Sequence, residues 1–261
     1  MSLRHTLNAI LSAIIAPPCA VCGRVLDEPL EGAVCGSCWD AIVPRSSGFA
    51  LHVIAQGQAI GPYESTLRDV LHALKYDKRR SIAGRLSAMM AAQGRDVLSG
   101  ADLVVPVPLH RRRHRERGFN QAEELARHLP LPMRRALMRV KATRPQIDLP
   151  AEQRRDNVRD AFALRRSVIG RSGASLTGRS GVSLIGRSDG RRQGYGGPPT
   201  LHAEAEDRPL QGAIIVLVDD VATTGATLEA CARILKSAGA AEIRALTAAR
   251  VVSGPWPTPR R

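Results

Sequence analysis

Two acids, three threonines and a glycine fall within nine residues of one another: Asp219, Asp220, Thr223, Thr224, Gly225 and Thr227. A small-residue loop opening onto a helix presents unpaired backbone N–H groups and a partial positive dipole. With threonine hydroxyls as further donors, Ala222, Thr223, Thr224, Gly225, Ala226 and Thr227 can cradle a phosphate. Asp219 and Asp220 would repel that anion, so they suit sugar hydroxyls or a hydrated Mg²⁺ beside it. A sugar phosphate satisfies both halves. The competing reading is an ordinary strand-to-helix turn whose Asp and Thr residues serve as caps.

A second constellation lies near the other end. Cys19 and Cys22 form one C-x-x-C pair, Cys35 and Cys38 another, with twelve residues between the pairs. Each pair can sit in a tight knuckle with both thiolates on one tetrahedral ion, and Gly23 and Gly36 follow where such turns take small residues. Four sulfurs leave zinc no open position, so the ion is expected to be structural and to supply most of the folding energy of a module of about 40 residues. Redox or disulfide use is the alternative, but neither pair has a thioredoxin-like pattern around it.

These residues need elements to position them. Ile214 to Val218 is an unbroken apolar, mostly β-branched run, as in a strand buried on both faces of a parallel sheet, and it ends in the two acids. A helical pattern then runs from Thr227 through Leu228, Cys231, Ile234 and Leu235 to a stop at Gly239, with Cys231 on the apolar face as core. Leu103 to Val105 and Glu242 to Arg250 read as further strands. Residues 63–76 read as a helix with Leu67, Val70, Leu71 and Leu74 on one face, and 81–98 as a second helix. The fold class is therefore α/β, a parallel sheet flanked by helices behind a small N-terminal metal module.

Basic residues gather in two places. Lys75, Lys78, Arg79 and Arg80 close the first helix and can complement its dipole or face a pyrophosphate. His110 to Gln121 holds five arginines in twelve residues, placed in a loop after a strand, where α/β folds make ligand contacts. His110 and His114 have no third metal ligand near them in sequence. The net charge of +14 fits a polyanionic partner or an arginine-rich proteome equally, and 3% aromatic content argues against a base-stacking platform.

The run V-L-V-D-D-V-A-T-T-G-A-T resembles the 5-phosphoribosyl-1-pyrophosphate (PRPP) signature of type I phosphoribosyltransferases. That resemblance implies that Asp219 and Asp220 hold the ribose hydroxyls, that Thr223 to Thr227 wrap the 5-phosphate, and that Mg²⁺ accompanies PRPP. The four cysteines, L-R-D-V-L-H-A-L-K-Y, P-V-P-L-H-R-R-R, R-G-F-N-Q-A, T-R-P-Q and R-R-x-N-V-R-x-A-F precede the signature in that order. Together they resemble the competence protein F (ComF) family of bacterial proteins, which carry a zinc ribbon and are linked to DNA uptake. By that resemblance Arg117, Asn120, Gln121, Gln146, Arg154, Arg155 and Asn157 are pyrophosphate or flap candidates, with Thr143 to Arg155 as a mobile flap. It implies either a PRPP- and Mg²⁺-using transferase or a binding protein that keeps the phosphate site and handles DNA, single-stranded DNA and the uptake machinery being the implied partners. No residue is identifiable as a catalytic base. PRPP sensing in gene regulation is a third reading, without a visible helix-turn-helix.

The expected division is a helix and zinc-ribbon module over 1–50 and a phosphoribosyltransferase-like domain over 55–261. The segment of about 165–205 stands apart. Three eight-residue units beginning at Ser167, Ser175 and Ser183 repeat within it, too short for a solenoid and too few for a core, so it reads as a disordered insertion or an arginine tether for nucleic acid. Leu3, Leu7, Ile10, Leu11 and Ile14 have the spacing of a short amphipathic helix rather than a signal peptide. No run of 18 apolar residues exists, and the expected location is the cytoplasm.

Overall fold

Residues 214–222 alternate between the two faces of a sheet, and that alternation builds both halves of the core. In the computed structural model, which describes residues 7, 17–45, 47–77, 79–141, 160–165 and 209–251, the strands are β1 (Ser47–Phe49), β2 (Gln56–Pro62), β3 (Leu103–Pro106), β4 (Leu137–Arg139), β5 (Phe162–Leu164), β6 (Ile214–Ala222) and β7 (Glu242–Arg250). The helices are α1 (Gly36–Asp40), α2 (Ser65–Tyr76), α3 (Ile82–Gln93), α4 (Arg95–Leu98), α5 (Arg111–Arg117), α6 (Gln121–Arg127) and α7 (Ala226–Ser237).

The main sheet has the order β1-β2-β7-β6-β3, with β1 antiparallel at one edge and the other four strands parallel. Val216 and Val218 join Leu246 and Ala248 on one face, under α2, α3 and α6. Ile215 and Leu217 join Leu103, Val105, Ile243 and Ala245 on the other, under α7. The side-chain period of two in a strand makes this division obligatory. The hairpin β4–β5 packs on the α7 side through Leu137 and Phe162.

The cysteine-bearing segment is not separate from this core. Cys19, Leu26, Val34, Cys38, Trp39 and Ile42 belong to the same apolar cluster as Ile60, Leu67, Val70 and Leu86. Trp39 is buried, and the Arg85 guanidinium of α3 lies 5.1 Å from its ring.

Four readings of the sequence are corrected here. The strand does not stop at the acids: β6 continues to Ala222 because β7 keeps pairing with it through Asp219↔Thr247 and Val221↔Ala249. Residues 81–98 form two helices, broken at Gly94, where a β-carbon would lie 2.5 Å from Leu246 Cδ1. The arginine-rich stretch after β3 is not a loop but the helix α5, capped by His110 Nδ1, which accepts from the Arg112 N–H at 3.2 Å. Gly23 has the left-handed φ (+73°) that a knuckle turn requires, whereas Gly36 has no such need and begins α1. The amphipathic stretch at 3–14, the flap at 143–155 and the 165–205 insertion lie essentially outside the described residues.

Candidate functional site

All four parallel strands point their carboxyl ends at one edge of the sheet, and a cavity of about 570 Å³ opens there. Open α/β sheets bind ligands at this edge. β6 contributes Asp219, Asp220 and Val221, and the turn into α7 contributes Thr223 and Thr227. Gly225 makes that turn, with φ +77° and a β-carbon position 2.7 Å from Leu51 Cδ1, so it alone among residue types fits without displacing Leu51. Thr224 Oγ1 accepts from the Ala226 N–H at 3.4 Å, at the first residue of α7.

The acids carry a partner that the sequence offered only as a helix-dipole charge or a pyrophosphate contact. Lys75, near the end of α2, reaches across to Asp220, with Nζ 3.0 Å from Oδ2 and both side chains 14% exposed. It is not a dipole counter-charge on the surface, and it faces a carboxylate rather than open solvent. Burial works against the ammonium, but Asp220 outweighs it and holds the lysine pKa above its ordinary value. Tyr63, which follows β2, places its ring 5.6 Å from the same Nζ. Asp219 is deeper. Burial first, and the neighbouring Asp220 charge second, push its pKa up to about 8, while the Asp220 N–H, which donates to Asp219 Oδ1 at 2.9 Å, and Lys75 pull the other way.

Opposite the acids stands a basic wall. Arg113 and Arg117 from α5 and Arg139 from β4 line the cavity. Arg117 donates from Nη1 to Gln121 Oε1 at 3.0 Å and lies over the Tyr76 ring at 5.2 Å. Burial, reinforced by the like charge of Arg113, holds Arg139 below the usual arginine value. Asn120 lines the cavity too, but its Oδ1 accepts from the Ala122 N–H as the cap of α6 and its Nδ2 donates to the Val107 carbonyl. Of the candidates read from sequence, Asp219, Asp220, Ala222, Thr223, Thr224, Gly225, Ala226, Thr227, Arg117, Asn120 and Gln121 lie at or beside this edge. Gln146, Arg154, Arg155 and Asn157 lie outside the described residues. Lys75, Arg113 and Arg139 are the lining cations not singled out from sequence as site residues, because each reaches the edge from a different element.

The four cysteine sulfurs form a second centre and all lie within 4.8 Å of one another. Cys19 Sγ is 3.9 Å from Cys38 Sγ, and Cys22 Sγ is 3.7 Å from Cys35 Sγ. Sulfurs at zinc-bond length on a tetrahedral ion are about 3.8 Å apart, so the cluster can bind a metal such as zinc. Cys19 Sγ accepts the N–H groups of Cys35 and Val21 at 3.3 and 3.5 Å. Although burial raises the Cys19 thiol, such backbone donors win and leave it below its ordinary value. The Ser37 hydroxyl is the main reason that the Cys35 pKa falls to about 6, and burial with three neighbouring thiols pushes Cys38 up. A cluster in which some thiols ionise easily and others resist is what a cation would resolve.

Comparison with known proteins agrees with this geometry. A phosphoribosyl transferase domain model matches residues 177–256, which include β6, the threonine turn, α7 and β7. The chain is 28% identical over 233 residues to the DNA utilization protein YhgH of Escherichia coli K12, covering 85% of this chain and 74% of that protein. Competence protein F of Haemophilus influenzae is 26% identical over 250 residues, 90% of this chain and 85% of that one. Over most of its length the chain is similar to competence protein F and to DNA utilization protein YhgH. Competence protein ComFC of Bacillus subtilis matches as well, at 24% identity over 94% of the chain and 83% of its own length. At 94% coverage this last match spans both the cysteine cluster and the acid–threonine edge. Among the described residues no helix is long and apolar enough to cross a membrane.

Proposed function

We propose that this ComF-type chain binds PRPP, or a closely related sugar phosphate, at the carboxyl edge of its sheet and acts in the uptake or handling of DNA. The observation that carries the reading is the juxtaposition on one cavity of Asp219 and Asp220 with the Thr223–Thr227 turn and three arginines. In this reading the acids accept hydrogen bonds from the ribose hydroxyls, the threonine turn and the N-terminus of α7 take the 5-phosphate, and Arg113, Arg117 and Arg139 neutralise pyrophosphate. The names of the relatives, which speak of competence and DNA utilization, support the DNA half. The cysteine cluster holds structural zinc, and its free thiols suit the reducing cytoplasm.

Transfer chemistry would follow from the same arrangement. As pyrophosphate leaves the ribose C1 and a nucleophile attacks, the three arginines stabilise the leaving group and the acids hold the sugar. Mg²⁺ bound with PRPP would add charge neutralisation at the pyrophosphate, which the basic wall accommodates. Glu116 is a further lining carboxylate, paired with Arg112 at 2.9 Å.

A second reading is a binding protein without transfer, favoured by the +14 net charge and the exposed arginines of α5. Two measurements separate them. In the first reading PRPP with Mg²⁺ raises the melting temperature more than ribose 5-phosphate does, and an acceptor releases pyrophosphate. In the second, single-stranded DNA binds with an affinity that falls steeply with salt and no acceptor releases pyrophosphate. A melting temperature indifferent to PRPP would remove the sugar-phosphate site from both.

A further inference from the structure

The Lys75–Asp220 pair has a consequence for the metal. Adjacent carboxylates in a part-buried site need a countercharge, and the usual supplies are a proton or a divalent ion. Here the chain also supplies a cation of its own beside Asp220. Lys75 Nζ sits 3.0 Å from Asp220 Oδ2, held on a second side by the Tyr63 ring. A divalent ion bonded to that Oδ2 at about 2.1 Å would lie no more than about 5 Å from the ammonium, where like charges repel strongly in a part-buried site. The other acid is half-buried on the same cavity, and its Oδ1 already accepts the Asp220 N–H at 2.9 Å. Lys75 also lines the cavity and has donors beyond the one given to Asp220.

We infer that Lys75 is the resident counter-ion of the acid pair, a positioning residue that fixes Asp220 for the sugar hydroxyls and excludes divalent metal from the acids. The ligand half rests on the PRPP reading above; the metal half does not.

The test titrates Mn²⁺ into zinc-loaded protein without PRPP, read by electron paramagnetic resonance, for wild type, Asp219→Asn/Asp220→Asn and Lys75→Met. Wild type and the double variant are expected to give the same isotherm, and Lys75→Met to gain a Mn²⁺ site that disappears when the two Asn changes are added. Calorimetry should find PRPP affinity lowered at least about tenfold in Lys75→Met, with partial recovery in Lys75→Arg, whose charge but not shape matches. An acid-dependent Mn²⁺ site in wild type overturns the inference, as does its absence from Lys75→Met or an unchanged PRPP affinity there. Should Lys75→Met fail to fold, the wild type and double-variant comparison decides the metal half, with Lys75→Gln as the second probe. Wild type that binds no PRPP would sink the ligand reading while the Mn²⁺ comparison still decides the counter-ion.

Discussion

Asp219→Asn removes one charge and almost no shape, which makes it the sharpest probe of the acid pair. The asparagine Oδ1 can still accept the Asp220 N–H that Asp219 accepts at 2.9 Å. Burial and the adjacent Asp220 carboxylate raise Asp219 from 3.8 to about 8 in the folded protein. In an unfolded chain the same carboxyl ionises near its ordinary value. Between those two values the folded state holds a proton that the unfolded state has released, so stability is full below the lower value and is lost as pH rises through the upper one. Inside that window each pH unit removes up to about 1.4 kcal/mol, and from pH 6 to pH 8 the loss approaches about 2 to 3 kcal/mol. The asparagine variant has no such proton to lose. Urea unfolding of both proteins at half-unit steps from pH 5 to 9 should give curves that converge near the acid end and separate as pH rises, the variant being the more stable above pH 7. Parallel curves over the whole range would refute the proton-holding assignment of Asp219.

Other perturbations have equally direct expectations. Chelating the metal should abolish hydrogen-exchange protection of the Ala20 and Leu26 amides, which donate to Ala33 and Pro17 carbonyls, and Cys22→Ser should lose its equivalent of zinc; a Cys22→Ser protein that kept it would contradict the four-sulfur site. Gly94→Ala drives a methyl group against Leu246 Cδ1 at 2.5 Å and the Met90 carbonyl at 3.0 Å, so the denaturant midpoint should fall by an equivalent of about 1 to 3 kcal/mol with PRPP binding intact. Gly225→Ala combines the +77° φ with the contact to Leu51. It should cost about 1 to 3 kcal/mol of stability and, unlike Gly94→Ala, weaken PRPP binding at least about tenfold by displacing the threonine turn.

The local signals were legible in the sequence and the long-range ones were not. A run of five apolar residues before two acids fixed β6 and its burial, because nothing polar interrupts Ile214 to Val218. Its true end was hidden, since Asp219 to Ala222 become strand only through the pairing that β7 provides from the other side of α7. The cysteine spacing foretold a cluster because each knuckle is built from its own four residues. Lys75 was legible as a charge at the end of a helix, but its partner lies 145 positions further on (220 − 75), brought near only by the sheet order. Arg113 was read only as one of the five arginines after β3, and Arg139 escaped notice because it reaches the cavity from the separate β4–β5 pair. The arginines of α5 read as a ligand-contacting loop because no apolar periodicity marks that helix; its stop at Gly118, which takes φ +81°, was the local sign available.

The central claim is that Asp219, Asp220 and the Thr223–Thr227 turn form a sugar-phosphate site. Isothermal titration calorimetry with PRPP and Mg²⁺, comparing wild type with Asp219→Asn/Asp220→Asn at pH 8, tests it most directly. The account predicts one PRPP per chain for wild type and loss of that binding in a double variant that remains folded and zinc-loaded. Absence of PRPP binding by folded, zinc-loaded wild type, or unaltered binding by the double variant, would contradict it.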